Sequence, residues 1–585
     1  MELSSILSAL ARLAPFSTEA DDDLERALAY LGVDFEIGRE VEADPEVEVD
    51  SEAEAVVRAG DGAAVTLASG GLGVLALVSA ALPVPASYFA AGFAAVIALA
   101  LGVAFLARRG PVWLATARRT AALGAAPALV ARAVLRTRVE PASERAAAFA
   151  ASGEGPLADS LAAHVRRAAG TPRSGLAAFG AAWSDWNPPL RRAVLLVEAA
   201  ADAPAGERDR SLDRAMDAML DGTRDRMAAF AERVRGPTTA LYAFGVLLPL
   251  ALVAVLPAAS VAGVPVSVPV LVAIYDLLLP AVLLVAGAWL LVRRPAAFPP
   301  PAVSRAHPAV PNRRWPAILV AAVAGLVAIG ATVPLPAWTR WPAVVGSSVG
   351  AALVWWFRPV KRVRDDARAV EENLADALYL VGRRVSDGAA VESAIADAAP
   401  EVAGRTGDAL AEAAGVQRRL RVGVREAFLG EHGALADVPS PQAQTVASLL
   451  ALAAREGRPA GRAIVSMADH VDDLQRVERE ARRELASVTG TLRNTAGIFG
   501  PLVGGATVAL ADGMASGTLG DPLPTAALGL AVGAYVLVLA IILAAIATGL
   551  ERGFDRALVG YRVGLALLAA VGSFLAGFVG AGLAA

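Results

Sequence analysis

Nine uninterrupted apolar blocks leave this chain few options. They fall at about 63–84, 86–107, 239–258, 269–292, 316–334, 341–357, 495–516, 525–549 and 563–584. A helix of ~20 apolar residues matches the ~30 Å hydrocarbon core of a bilayer. Water cannot reach the backbone there, so each segment must satisfy its own N–H and C=O groups. The blocks explain why 56% of the 585 residues are hydrophobic, against roughly 45–50% in ordinary soluble domains. The chain reads as a multi-pass membrane protein.

Several kinds of chemistry drop out on residue type alone. There is no cysteine, which removes disulfides, thiolate metal sites and cysteine nucleophiles. The four histidines, His164, His307, His432 and His470, have no partner at metal-ligand spacing, and each reads as a solvated helix or loop residue. Of the 53 basic residues only Lys361 is a lysine, and it follows Pro-Val rather than a glycine-rich loop. No Walker A motif exists, so P-loop nucleotide hydrolysis is not expected. No metal, no cofactor and no nucleic-acid partner is expected. An arginine-only base set with a pI of about 5.8 points to a GC-rich genome of haloarchaeal type.

The polar regions alternate with the blocks. Residues 1–62 form an acidic N-terminal segment with no signal peptide. In it SSILSALARL is a candidate short helix, and DDDLERALAYLGV reads as a second, with Ser17 or Thr18 as caps and acids in its first turn. The following FEIGREVEADPEVEVDSEAE suits a small strand pair or a solvated tail equally. The expected plan continues with a membrane hairpin at 63–107, a helical bundle at 108–238 and a second hairpin at 239–292. A Pro-rich linker at 293–315, a hairpin at 316–357, a second bundle at 358–494 and three C-terminal spans in 495–585 complete it.

Orientation follows from the basic residues. With the N-terminus inside, the inner segments hold every Lys and Arg except Arg340, the asymmetry that the positive-inside rule demands. Both large loops then lie in the cytoplasm and the C-terminus lies outside. The outer loops are a few residues long, too short for an external binding domain. Trp338, Trp341, Trp355 and Trp356 bracket the sixth block like interfacial anchors.

Each loop ends in a long charged helix with one apolar stripe. Leu212, Met216, Met219, Thr223, Met227, Phe230 and Val234 form the first; Ile464, Met467, Val471, Leu474, Ala481, Leu485 and Val488 form the second. Both stripes read as bundle packing, and both helices run toward a membrane block. VLRTRVEPASERAAAFA at 134–150 matches VGRRVSDGAAVESAIADAA at 381–399. ADAPAGERDRSLDRAMDAM at 201–219 matches AREGRPAGRAIVSMADHVDDL at 453–473, and LYAFGVLLPL at 241–250 matches AGIFGPLVGG at 496–505. Three matches in one order predict an internal duplication, with a period too long for a solenoid. Phe244, Gly245 and Pro249 then correspond to Phe499, Gly500 and Pro501 where each half enters the membrane. The prolines weaken the local ladder, and Gly500 with Gly504 forms a G-x-x-x-G pair suited to helix contact.

A cytoplasmic helical bundle that exits through Phe-Gly into an apolar span, repeated downstream, resembles the type II secretion F / PilC family. The resemblance covers about 125–258 and 370–516 and is carried by VLRTRVEP, VGRRVSDG, EGRPAGRAIVSMA and the two Phe-Gly pairs. The first copy departs from the pattern at Pro141, where Gly is expected. Nine blocks and two bundles look more like the enlarged archaeal platforms than the three-span bacterial ones. The resemblance implies an all-α polytopic membrane platform with two duplicated cytoplasmic bundles, and no enzymatic activity of its own. A separate hexameric secretion ATPase would dock beneath it, and pilin-like subunits would be lifted from the lipid bilayer into a type IV pilus, archaellum or related filament. A homodimer is compatible with this reading.

Two sets of residues are candidate sites. Arg383, Arg384, Arg418, Arg419 and Arg421 are candidates for ATPase contact, against the plainer reading of a solvated face. Asp276 and Asp512 lie within apolar blocks, where carboxylates are costly and invite a functional reading. Two other classes compete. A secondary transporter fits duplicated halves and intramembrane acids, but the matched halves run in the same direction and the blocks are nearly free of polar residues. A membrane enzyme lacks any acid–base, metal or Ser-His constellation.

Overall fold

A computed structural model describes residues 21–31, 52–81, 85–153, 155–171, 174–261, 267–295, 303, 307–311, 313, 315–456, 460–515, 525–553 and 555–584. The candidate helix in SSILSALARL, the Ser17 and Thr18 caps, the strand-or-tail stretch up to residue 51 and most of the Pro-rich linker lie outside these residues. Every regular element among the described residues is helical. Eight helices are long and apolar enough to cross a membrane; one further apolar helix, Trp315–Ala331, has 17 residues.

The chain opens with α1 (Asp22–Leu31), α2 (Glu52–Ala81) and α3 (Ala86–Leu123). Asp21 takes the cap position of α1, its carboxylate accepting the Asp23 N–H at 3.4 Å. The acidic segment is expected to end at residue 62, yet its last eleven residues already belong to α2. Leu24 and Leu28 of α1 pack on Ala53 and Val57 of α2. Arg119 of α3 lies 4.3 Å over the Tyr30 ring and donates to the Arg26 carbonyl at 3.1 Å.

Five short helices then lead into a long one: α4 (Ala126–Val139), α5 (Ser143–Ala151), α6 (Pro156–Ala168), α7 (Leu176–Ala182), α8 (Pro188–Asp202) and α9 (Ala205–Tyr242). A π turn at Ala243–Leu247 carries α9 into α10 (Leu248–Val261). After it come α11 (Val268–Val272), a π turn at Ala273–Leu278, α12 (Leu279–Val292), α13 (Trp315–Ala331) and α14 (Arg340–Glu371). A second series follows: α15 (Leu374–Ser386), α16 (Val391–Ala398), α17 (Gly404–Leu420), α18 (Val424–Leu429), α19 (Pro441–Glu456) and α20 (Ala460–Asn494). A π turn at Thr495–Phe499 carries α20 into α21 (Gly500–Ala515), and α22 (Thr525–Arg552) and α23 (Arg556–Ala584) close the chain.

The two stripes do what one-sided stripes on charged helices must do. Every residue of the first is buried, and in the second Ile464, Met467, Val471, Ala481 and Leu485 are buried. Leu474 is only half-buried; Val477, one residue short of the next turn, takes its place. The two bundles do not close separately. Val134, Leu212 and Met216 belong to the same apolar core as Val381, Ile464 and Met467. Farther along, Phe230 and Val234 of α9 join Ala481 and Leu485 of α20 in a second core that continues into the membrane helices. The two exit helices, α9 and α20, touch, and Arg224 Nε lies 3.3 Å from the Glu480 carboxylate across the seam. At its outer end His470 is buried between α20 and the Arg138–Asp213 pair. Burial, aided by the Arg138 charge and opposed by Asp213, Asp473 and Asp469, pushes its imidazole below the usual range, which favours the neutral form. The solvated position expected for His470 is thus not what the fold provides.

In the membrane layer α22 is the most enclosed helix, and α23 lies along both α21 and α14. Here the expected G-x-x-x-G contact is displaced. A Cβ on Gly505 would sit 2.0 Å from the Phe574 carbonyl oxygen, and one on Gly577 would sit 2.1 Å from that of Leu502. The closest approach of α21 and α23 is therefore made by Gly505 and Gly577, while a Cβ on Gly504 would meet the Val536 side chain on α22 and one on Gly500 the Thr495 carbonyl oxygen, each at 3.0 Å. Gly350 of α14 crosses Gly564 of α23 in the same manner. Trp338 is not an interfacial anchor: it is buried edge-on to Phe578 at 5.2 Å and to Phe574 at 6.2 Å. Trp341 and Trp355 are exposed and Trp356 is half-buried.

Candidate functional site at the bends of the exit helices

Three prolines inside apolar helices set up the same problem. Proline has no N–H, so the carbonyl four residues earlier loses its partner. Pro249, Pro280 and Pro501 orphan the carbonyls of Gly245, Asp276 and Gly497 in this way. Hydrocarbon offers no water to replace the bond, and an orphan there costs several kcal/mol. A π turn precedes each proline, in which the N–H of Leu248, Leu279 or Gly500 reaches back five residues to the carbonyl of Ala243, Ile274 or Thr495, so the orphaned carbonyls still need other donors.

Side chains from neighbouring helices complete two of the three. Tyr535 Oη, on α22, donates to the Gly245 carbonyl at 2.7 Å. Ser573 Oγ, on α23, donates to the Gly497 carbonyl at 3.1 Å. Tyr275 of the middle bend donates in turn to the Pro249 carbonyl at 2.9 Å, and its ring stands edge-on to Tyr535 at 5.4 Å. One polar knot thus ties the first exit helix to the fourth and eighth apolar segments.

Asp276 lies beside this knot, with one buried carboxylate oxygen lacking a hydrogen-bond partner among the described residues. Asp512 does not join it; it is exposed on α21. Phe244 and Phe499 both point outward, 67% and 58% exposed, while Gly245 and Gly500 face inward. A Cβ on Gly245 would meet Leu283 at 2.3 Å, so the glycine lets α12 close on the bend. Pro249 and Pro501 are buried, each two residues past its π turn, whereas Phe244 is the second residue of its turn and Phe499 the last.

The arginines of the second bundle are less uniform than the sequence suggests. Arg384 donates to Glu401 at 2.7 Å, whereas Arg383, Arg418, Arg419 and Arg421 are exposed. Arg421 follows α17 in a left-handed conformation, φ 54°, just after Arg418 and Arg419 in the last turn of that helix, while Arg383 stands apart on α15. Tyr275, Tyr535 and Ser573 were missed by sequence reasoning. The available signal was a hydroxyl in an otherwise apolar helix, combined with an unanswered proline elsewhere. The arrangement holds the bends by hydrogen bonds from neighbouring helices; among the described residues no group of three or more His, Asp or Glu could hold a metal.

Tyr535→Phe removes one hydroxyl and nothing else. It should cost about 1–3 kcal/mol, the penalty of an unsatisfied buried acceptor. Thermal unfolding in detergent, with faster amide exchange around 245–250, would register it. An unchanged melt would mean that the Gly245 carbonyl does not depend on Tyr535.

No protein-family model, no curated protein and no solved structure matches this chain.

Proposed function

We propose that this protein is a non-catalytic membrane platform of the type II secretion F / PilC kind, which couples a separate secretion ATPase to the insertion of pilin-like subunits into a filament. The observation that carries the reading is mechanical. While α3 and α14 run into the bundles from the preceding blocks, each bundle passes on to the next membrane block through one continuous helix, of 51 and 53 residues in its described extent, reaching ~75–80 Å. Each bends at a π turn beside a Phe-Gly pair and a proline, and the two touch before they enter the membrane. A push on either bundle would therefore reach the membrane layer through two coupled levers.

The same reading takes the two helix series as duplicated halves, with short helices of similar length in one order before each lever. It counts α13 as a span, for nine in all, and places both bundles and the N-terminus in the cytoplasm with the C-terminus outside. Arg383, Arg418, Arg419 and Arg421 then offer exposed cations to the ATPase, with Arg384 held back by Glu401. The energy comes from the partner, which fits the absence of a P-loop.

Gentle purification of the tagged protein from native membranes, followed by mass spectrometry, tests this. Recovery of a P-loop secretion ATPase with pilin-like subunits is the expected result. The unpartnered oxygen of Asp276 favours a second reading, a transporter with duplicated halves. Protein recovered alone, with substrate flux in vesicles that is lost in Asp276→Asn, would replace the platform with that transporter.

A further inference from the structure

Where the apolar helices end on the side of the bundles, arginines from both halves converge. Arg294 follows the last apolar turn of α12, Arg552 ends α22 and Arg562 lies in the second turn of α23. Arg368 of α14 and Arg482 of α20 reach the same place: Arg482 is within electrostatic range of Arg294, Arg368 and Arg552, and Arg552 also feels Arg368 and Arg562. All five are half-buried.

The acids present do not match them. Glu551 alone serves Arg562 at 2.7 Å, Arg552 at 3.6 Å and the more distant Arg493 at 3.9 Å. Glu478 is engaged with Arg482, and Glu371 receives the Ser440 hydroxyl at 2.5 Å. Arg294 donates only to the carbonyls of Leu550, at 2.7 Å, and Glu551, at 3.4 Å. Gly553, at φ +83°, turns the chain away just where a Cβ would crowd Arg294. The Arg368 guanidinium feels the charges of Glu478, Asp365 and Glu371 without forming a hydrogen bond or close ion pair with any of them among the described residues. The buried Nε of Arg552, 3.6 Å from Glu551, is too far away to hydrogen-bond it.

Half-buried cations without enough counter-charge are costly unless something negative completes them. Guanidinium forks suit phosphate oxygens, two N–H groups to two oxygens. Arg294, Arg552 and Arg562 stand where the apolar runs of α12, α22 and α23 end, the level at which a bilayer spanned by those runs would place its phosphates, with Arg368 and Arg482 farther out on α14 and α20. Basic pockets between membrane helices hold anionic headgroups. We propose that the Arg294–Arg368–Arg482–Arg552–Arg562 pocket binds the phosphate of an anionic lipid in the leaflet facing the bundles. The bound lipid would brace the last turns of α12 and α22 against α20, independently of what the levers drive.

The full-length protein, purified and stripped of lipid in mild detergent, provides the test. Phosphatidylglycerol should raise its melting temperature, and phosphatidylcholine or inorganic phosphate should not. Native mass spectrometry should show phosphatidylglycerol retention weakened roughly fivefold for each arginine charge removed, in Arg368→Gln and in Arg552→Gln. Arg368→Lys should keep most of it, as should Arg210→Gln on the exposed face of α9. Equal stabilisation by phosphatidylcholine, or undiminished retention in the two glutamine variants, would overturn the proposal. A full shift from inorganic phosphate alone would overturn the lipid as the source of the anion. The wild-type comparison decides even if a variant fails to fold.

Discussion

Gly505→Ala should destabilise this protein by about 3 kcal/mol or more, a large effect for one added methyl group. The new Cβ would lie 2.0 Å from the Phe574 carbonyl oxygen and 2.9 Å from both the Phe574 carbonyl carbon and the Phe578 nitrogen. These are backbone atoms of α23, and a packed helix cannot yield as a side-chain tip can. Relief requires α21 to move bodily off α23. Because α21 is the membrane end of the second lever, the same change should uncouple lever from membrane layer. Gly572→Ala is the matched control on α23, with nothing within 4 Å of the new atom. It should be neutral or slightly stabilising, since alanine favours the helix by ~1 kcal/mol. Thermal unfolding of both variants in one detergent decides; equal melting temperatures would mean that α21 and α23 do not meet at Gly505.

Asp555→Ala should be comparably severe, at about 3–5 kcal/mol, the cost of breaking a buried ion pair from one side. Asp555 is almost wholly buried at the turn between α22 and α23. One carboxylate oxygen caps α23, accepting the Ala557 N–H at 2.9 Å and the Leu558 N–H at 3.3 Å. The other meets the Arg364 guanidinium of α14. Asn at this position keeps a capping oxygen but not the charge, so Asp555→Asn should fall between wild type and Asp555→Ala. Unfolding curves for the three should follow that order at low and high salt alike, because a buried pair is poorly screened. If Asp555→Asn and Asp555→Ala melt together, the cap contributes nothing and the charge carries the whole effect.

The helical plan was legible because membrane helices obey a strict rule. Uninterrupted apolar runs marked α2, α3, α22 and α23 to within a turn or two on their membrane side, although α2 and α3 extend well beyond the runs on the other. The stripes on α9 and α20 were legible for the same reason: one apolar face on a charged helix has only one place to go. What could not be read depends on distance in the folded chain. Nothing in the neighbourhood of Trp338 says that Phe574 and Phe578, more than 230 positions away, will enclose it. G-x-x-x-G spacing located the right helix but not the register, which the partner helix decides through Gly577. Pro249 announced a missing hydrogen bond, whereas the Tyr535 hydroxyl that answers the orphaned carbonyl lies 290 positions from Gly245. Asp276 was singled out because its charge is conspicuous; its tyrosine neighbours were overlooked because aromatic residues in membrane helices are commonplace.

The single core shared by the two bundles bears on how the chain is made. While the ribosome is still adding α13, α4 through α9 have already emerged, with the flank that will meet α20 uncovered. Their apolar surface stays exposed until Ile464 and Met467 arrive, so the nascent protein passes through a half-built stage prone to association. That interval is when chaperones and membrane proteases have their opportunity. It also restricts how such a gene could be divided. Two polypeptides cut in the stretch between α12 and α13 would each emerge lacking part of a common interior, and neither would be a finished product until it found the other.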